Sequence, residues 1–172
     1  MGRLTATIIT LLVALLLQVI FAPPLTIGGV TPNFLMVAVI IIAFMRGSKE
    51  GTIVGFIAGL LFDLVGTTIV GPMALTLTIT GFLAGIMKEE MVSVSWVLPL
   101  SVLGLASFVS ETIYLLIVSA MGMPMSFFAA LATRALPAAL YAMLIAVILF
   151  PWTSKLLRAG MEDSPNTLNR MS

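Results

Sequence analysis

The sequence predicts an all-α, polytopic membrane protein with six transmembrane helices and no soluble domain. Three observations carry that expectation. Hydrophobic residues make up 60% of the 172 and charged residues only 9%, with a mean hydropathy of +1.22, where soluble domains carry about 25% charged residues. Apolar runs recur along the whole chain between short polar or glycine- and proline-containing turns. Lys and Arg fall in alternate turns, as they do when a chain threads back and forth across a bilayer.

The elements follow in order. Residues 4–22 form an apolar stretch stopped by Pro23-Pro24. At 1.5 Å per residue this crosses a hydrocarbon core of about 30 Å. Arg3 before an apolar run also fits a signal peptide, but the run is long for one and Ile20-Phe21-Ala22 is a poor cleavage triplet, so an uncleaved first helix is expected. Thr26–Pro32 holds Gly28-Gly29 and reads as a loop. Residues 33–45 form a short second span with Asn33 as its N-cap, and Arg46 to Glu50 a polar turn. Residues 51–87 carry no Lys or Arg and are broken at Gly66 and Gly71-Pro72, so two short helices are expected, 51–65 and 71–87. Lys88-Glu89-Glu90 closes that pair. The fifth span, 96–121, begins at an interfacial Trp96, and the sixth, 126–150, ends at Pro151-Trp152. Residues 1–154 thus form one transmembrane domain, and 155–172 a polar, disordered cytoplasmic tail in which Leu157 is expected at the surface.

Six crossings place Arg3, Arg46, Lys49, Lys88, Lys155, Arg158 and Arg170 on one side, while the opposite turns contain no Lys or Arg. Both termini are therefore expected in the cytoplasm.

The residues exclude much chemistry. With no Cys and no His, disulfides, thiolate nucleophiles and His-based acid–base devices are absent. A net charge of +1 does not suggest nucleic-acid binding. No catalytic, cofactor or metal residue is expected, because Asp63 is the sole Asp within a span and no Lys lies inside one.

Two constellations stand out. Gly51, Gly55 and Gly59 recur every fourth residue, Asp63 takes the next step, and Gly81 and Gly85 repeat the spacing in the following helix. Residues four apart share a helix face, and small-xxx-small stripes let membrane helices approach closely. The five glycines are therefore a helix-packing seam or a docking groove for a partner's span. Three ionisable residues, Asp63, Glu111 and Arg134, fall inside spans. Glu111 and Arg134 lie about 15 Å and about 12 Å from the outer boundary of antiparallel neighbours, so an ion pair is expected between them. Asp63 can join that pair or cap Thr67 or Thr68; the sequence leaves both open.

The chain resembles the rod shape-determining protein MreD family. The resemblance rests on Thr31-Pro32-Asn33-Phe34-Leu35, Arg46-Gly47, the run from Gly51 to Asp63, and Gly71 through Gly81-Phe82-Leu83-Ala84-Gly85. It is strongest over residues 23–88. Thr31-Pro32 departs from the Arg-Pro of many members. The resemblance implies a non-catalytic inner-membrane scaffold of the bacterial cell-elongation machinery. It further implies an MreC-like bitopic partner and, through it, MreB filaments, RodA and a class B penicillin-binding protein. The family is also similar in fold to the substrate-binding subunits of energy-coupling-factor transporters, which makes vitamin capture the alternative.

Overall fold

The computed structural model describes residues 2–66, 70–87, 97–122 and 126–162. Among them the chain forms six helices: α1 (Arg3–Ile20), α2 (Phe34–Arg46), α3 (Ser48–Gly66), α4 (Pro72–Ile86), α5 (Val97–Ala120) and α6. The last runs as Phe127–Ala130, a π-helical turn at Leu131–Ala135, and Leu136–Glu162. By length and composition, three are able to cross a membrane: Arg3–Ile20, Ser101–Ala120 and Phe127–Ala159. Phe34–Arg46 and Pro72–Ile86 are shorter apolar helices.

Helix α2 is the centre of the fold. It is apolar all round, and every residue from Phe34 to Phe44 is buried. A helix with no polar face must be covered on every side, and α1, α3, α4, α5 and α6 all pack against it. Its first turn is satisfied from two directions. Asn33 Oδ1 accepts the Met36 N–H at 2.9 Å, as the expected N-cap. Gln18 of α1 accepts the Phe34 N–H at 2.8 Å and donates to the Pro32 carbonyl at 3.2 Å. These bonds tie the C-terminal end of α1 to the start of α2.

The turn expected from Arg46 to Glu50 is shorter than its composition suggests. Gly47 alone separates α2 from α3, with φ at +97°, a conformation costly for residues with a Cβ. Its N–H bonds back to Ala43 and its carbonyl takes the Gly51 N–H, so Ser48, Lys49 and Glu50 form the first turn of α3. At the other end, Ile27 and Val30 exchange both backbone hydrogen bonds around Gly28-Gly29, whose φ values are both positive. Such a two-residue turn needs glycine-like residues at both centres. Tyr141 of α6 donates to the Leu25 carbonyl at 2.8 Å and fixes this loop.

Helix α6 differs from expectation twice. Pro137 has no N–H for the Thr133 carbonyl, and its ring crowds that carbonyl. The preceding turn widens, with the Leu136 N–H bonding Leu131 five residues back. The helix also does not stop at Phe150 but continues through Pro151 to Glu162. Thr153, Ser154 and Leu157 are buried on one side of this extension, so packing outweighs the one lost hydrogen bond. Leu157, expected at the surface, has no exposed area.

Thr67, Thr68, the Lys88–Glu90 turn, Trp96 and residues 163–172 lie outside the described residues.

Candidate functional site

The five glycines lie between α3 and α4. A Cβ built on Gly55 would overlap the Leu77 carbonyl oxygen and lie 2.7 Å from its carbon. One on Gly59 would sit 2.7 Å from the Ala74 nitrogen, and one on Gly51 would meet the Gly81 carbonyl and the Ala43 Cβ. Gly81 faces Gly51 in return, and Gly85 faces the backbone of Gly47 and Ser48. The small-residue face of α3 is thus occupied by the backbone of α4.

Asp63 closes this seam at the C-terminal end of α3. It is 1% exposed. Its Oδ2 accepts the N–H groups of Gly71 at 2.8 Å and Ala74 at 3.0 Å, and Oδ1 that of Met73 at 3.3 Å. These are the donors that a helix start leaves without intrahelical partners, and Gly71, the residue before α4, has no side chain to cap them. A carboxylate there also meets the positive end of the helix dipole. Asp63 therefore caps α4 from one helix away, a role that neither sequence option named.

Glu111 and Arg134 are neighbours without direct contact. They act on each other electrostatically, and Tyr114 feels both of them and Asp63. The expected ion pair is not formed: among the described residues no Glu111–Arg134 pair closes within 4.0 Å. Arg134 is exposed on the π-helical turn, while Glu111 is half-buried on α5. The widened turn changes the angular position of Arg134, which depth counting along a regular helix misses.

A family model described as rod shape-determining protein MreD matches residues 1–159. The chain belongs to the MreD family. No curated protein and no solved structure matches it. Membership carries a role in rod-shape determination, and MreD is not a known enzyme family. Together with the three long apolar helices, it makes the chain a membrane protein.

Two further features of this MreD family member were not anticipated. The first is a charged network where α1 begins, α2 ends and α3 begins. Arg46 Nη1 donates to Thr7 Oγ1 and, at 3.2 Å, to Glu50 Oε2. Arg3 pairs with the other Glu50 oxygen at 3.5 Å. The Arg46 side chain is only 2% exposed. Its four-residue spacing to Glu50 was a readable signal, but Arg46 at a span end passed for an ordinary interfacial charge. The second feature is a cavity of about 350 Å³ between the C-terminal ends of α1 and α3, lined by Leu15, Gln18, Ala22, Phe62 and Val65 among others. Of its polar lining residues, Gln18 is already committed to the backbone of Pro32 and Phe34, and Thr31 is hydrogen-bonded to Thr26.

Proposed function

We propose that this chain is a non-catalytic scaffold of the bacterial inner membrane that crosses the bilayer six times with both termini in the cytoplasm. In this reading it binds an MreC-like bitopic protein in the plane of the membrane. Through that protein it acts with MreB filaments, RodA and a class B penicillin-binding protein to keep peptidoglycan synthesis directed along a rod.

The observation that carries the reading is the family match over residues 1–159, which spans all but the last three residues of the helical fold. The packing supports a scaffold. Helix α2 is sheathed by its five neighbours and the glycine face of α3 is filled by α4, so the surfaces left for a partner are the outward faces of the bundle. Gly51, Gly55, Gly59, Gly81 and Gly85 then act as the seam that keeps those faces in register, and Asp63 as its outer clasp. Glu111 and Arg134 are polar marks at one such face, where intramembrane charges commonly serve partners or pathways.

The test is complementation in a rod-shaped bacterium from which the native protein is depleted. The chain should restore rods from rounded cells. Cells that stay round despite normal membrane levels of the chain would refute the role.

A further inference from the structure

The Arg46 guanidinium is half used. Nη1 holds Thr7 and Glu50, but Nε and Nη2 are buried and have no hydrogen-bond partner. By the covalent geometry of guanidinium these two nitrogens form its side-on fork, two parallel N–H donors matched to two oxygens of one carboxylate or phosphate. A buried donor left unpaired is costly, and a charged one more so. Glu50 does not balance the charge, because it is shared between Arg46 and Arg3.

The surroundings point to the source of the missing anion. Tyr141 is level with Leu25 in the outer loop, and Lys155 lies about 21 Å further along α6, near the depth of Arg46 at the far end of α2. Among the described side chains this end of the bundle carries Arg3, Arg46, Lys49, Lys155 and Arg158 against Glu50 alone. The first turn of α1 has neither an acidic residue nor a side-chain cap, so its positive dipole end adds to the same field. A basic rim at the end of apolar helices attracts anionic lipid. Arg3 and Glu50, with side chains 47% and 38% exposed, carry the network from Nη1 of Arg46 to the surface.

We propose that the Nε–Nη2 fork of Arg46 binds the phosphate of an anionic phospholipid headgroup, which enters beside the Arg3–Glu50 pair. The inference rests on the reading that this end lies at the membrane–water interface, and its test uses neither partner nor cell shape.

The experiment measures ligand adducts by native mass spectrometry, and thermal protection, of the full chain in mild detergent. The probes are dioleoylphosphatidylglycerol, dioleoylglycerol (the same chains without phosphate) and inorganic phosphate. The phospholipid should bind and protect, while the other two should not. Arg46→Lys keeps the charge but loses the fork, and should weaken phospholipid binding roughly tenfold or more. Glu50→Gln removes a negative charge beside the fork, which repels an incoming phosphate, and should strengthen binding, an effect that a purely structural Glu50 would not produce. Unchanged binding in Arg46→Lys would overturn the site. If that variant does not fold, weaker or unchanged binding in Glu50→Gln overturns it instead. Equal protection by inorganic phosphate would assign the fork to a soluble anion and refute the lipid. An Arg46-dependent protein partner with no lipid dependence would assign it to a carboxylate.

Discussion

The seam between α3 and α4 predicts that one methyl group separates three positions that look alike in sequence. Gly55→Ala puts a carbon 2.7 Å from the Leu77 carbonyl carbon and 3.2 Å from the Thr78 nitrogen, where ordinary contact begins near 3.4 Å. The obstacle is backbone on a helix held by α2 and α5, so no rotamer change relieves it. The helices must part locally by about 1 Å, and a gap of that size forfeits roughly a quarter to a half of each dispersion contact along the seam. Overpacking of this kind costs about 1–3 kcal/mol, and backbone obstacles belong at the upper end. The helix-propensity gain of Gly→Ala offsets about 1 kcal/mol. A net loss of about 2 kcal/mol is expected, near thirtyfold in the unfolding equilibrium. Gly104→Ala meets the flexible Met143 side chain, whose Sδ lies 2.6 Å away, and should cost under about 1 kcal/mol. Gly66→Ala meets nothing within 4 Å and should be neutral. Unfolding with sodium dodecyl sulfate in mixed micelles, followed by helical circular dichroism, ranks the three. Equal stability of Gly55→Ala and Gly66→Ala would refute the seam.

Other consequences are independent of that one. Asp63→Asn leaves one acceptor oxygen for three backbone donors and should cost about 1–3 kcal/mol in the same unfolding assay, with faster hydrogen exchange confined first to the amides of Gly71, Met73 and Ala74. Asn33→Ala removes the cap on Met36 and should cost about 1 kcal/mol, less than Asp63→Asn, because Gln18 still holds the Phe34 N–H. The chain has no cysteine, so single cysteines report topology directly. If the proposed orientation holds, in intact cells Ile27→Cys, at a position 69% exposed in the loop between α1 and α2, should react with a membrane-impermeant maleimide, and Lys155→Cys should react only after lysis.

What the sequence made legible was mostly what a period or a cap encodes. The turn residues Gly28-Gly29, the Asn33 cap and the break at Gly71-Pro72 each reflect a local backbone requirement, and the structure uses them so. The identity of the glycine face was legible too, but its occupant was not, because a stripe of small residues reads the same against its own chain or another. Asp63 was misjudged for a related reason: its partners are backbone N–H groups of a helix eight to eleven residues on, and backbone donors leave no trace in side-chain spelling. The Glu111–Arg134 pairing failed where regular geometry failed, since Pro137 widens the turn carrying Arg134. Pro151 was given too much weight as a stop, because the buried face of Thr153, Ser154 and Leu157 had not been counted against it. The burial of Arg46 was hidden by its place at a span end, where most arginines reach water.

The most direct test of the scaffold reading is recovery of its partners. The tagged chain is extracted from native membranes in mild detergent, and the proteins that follow it are identified by mass spectrometry. An MreC-like bitopic protein, with RodA and a class B penicillin-binding protein in lesser amount, is the result expected. An ATPase pair with a coupling subunit, and no bitopic protein, would contradict the scaffold and make the chain a vitamin-capture subunit.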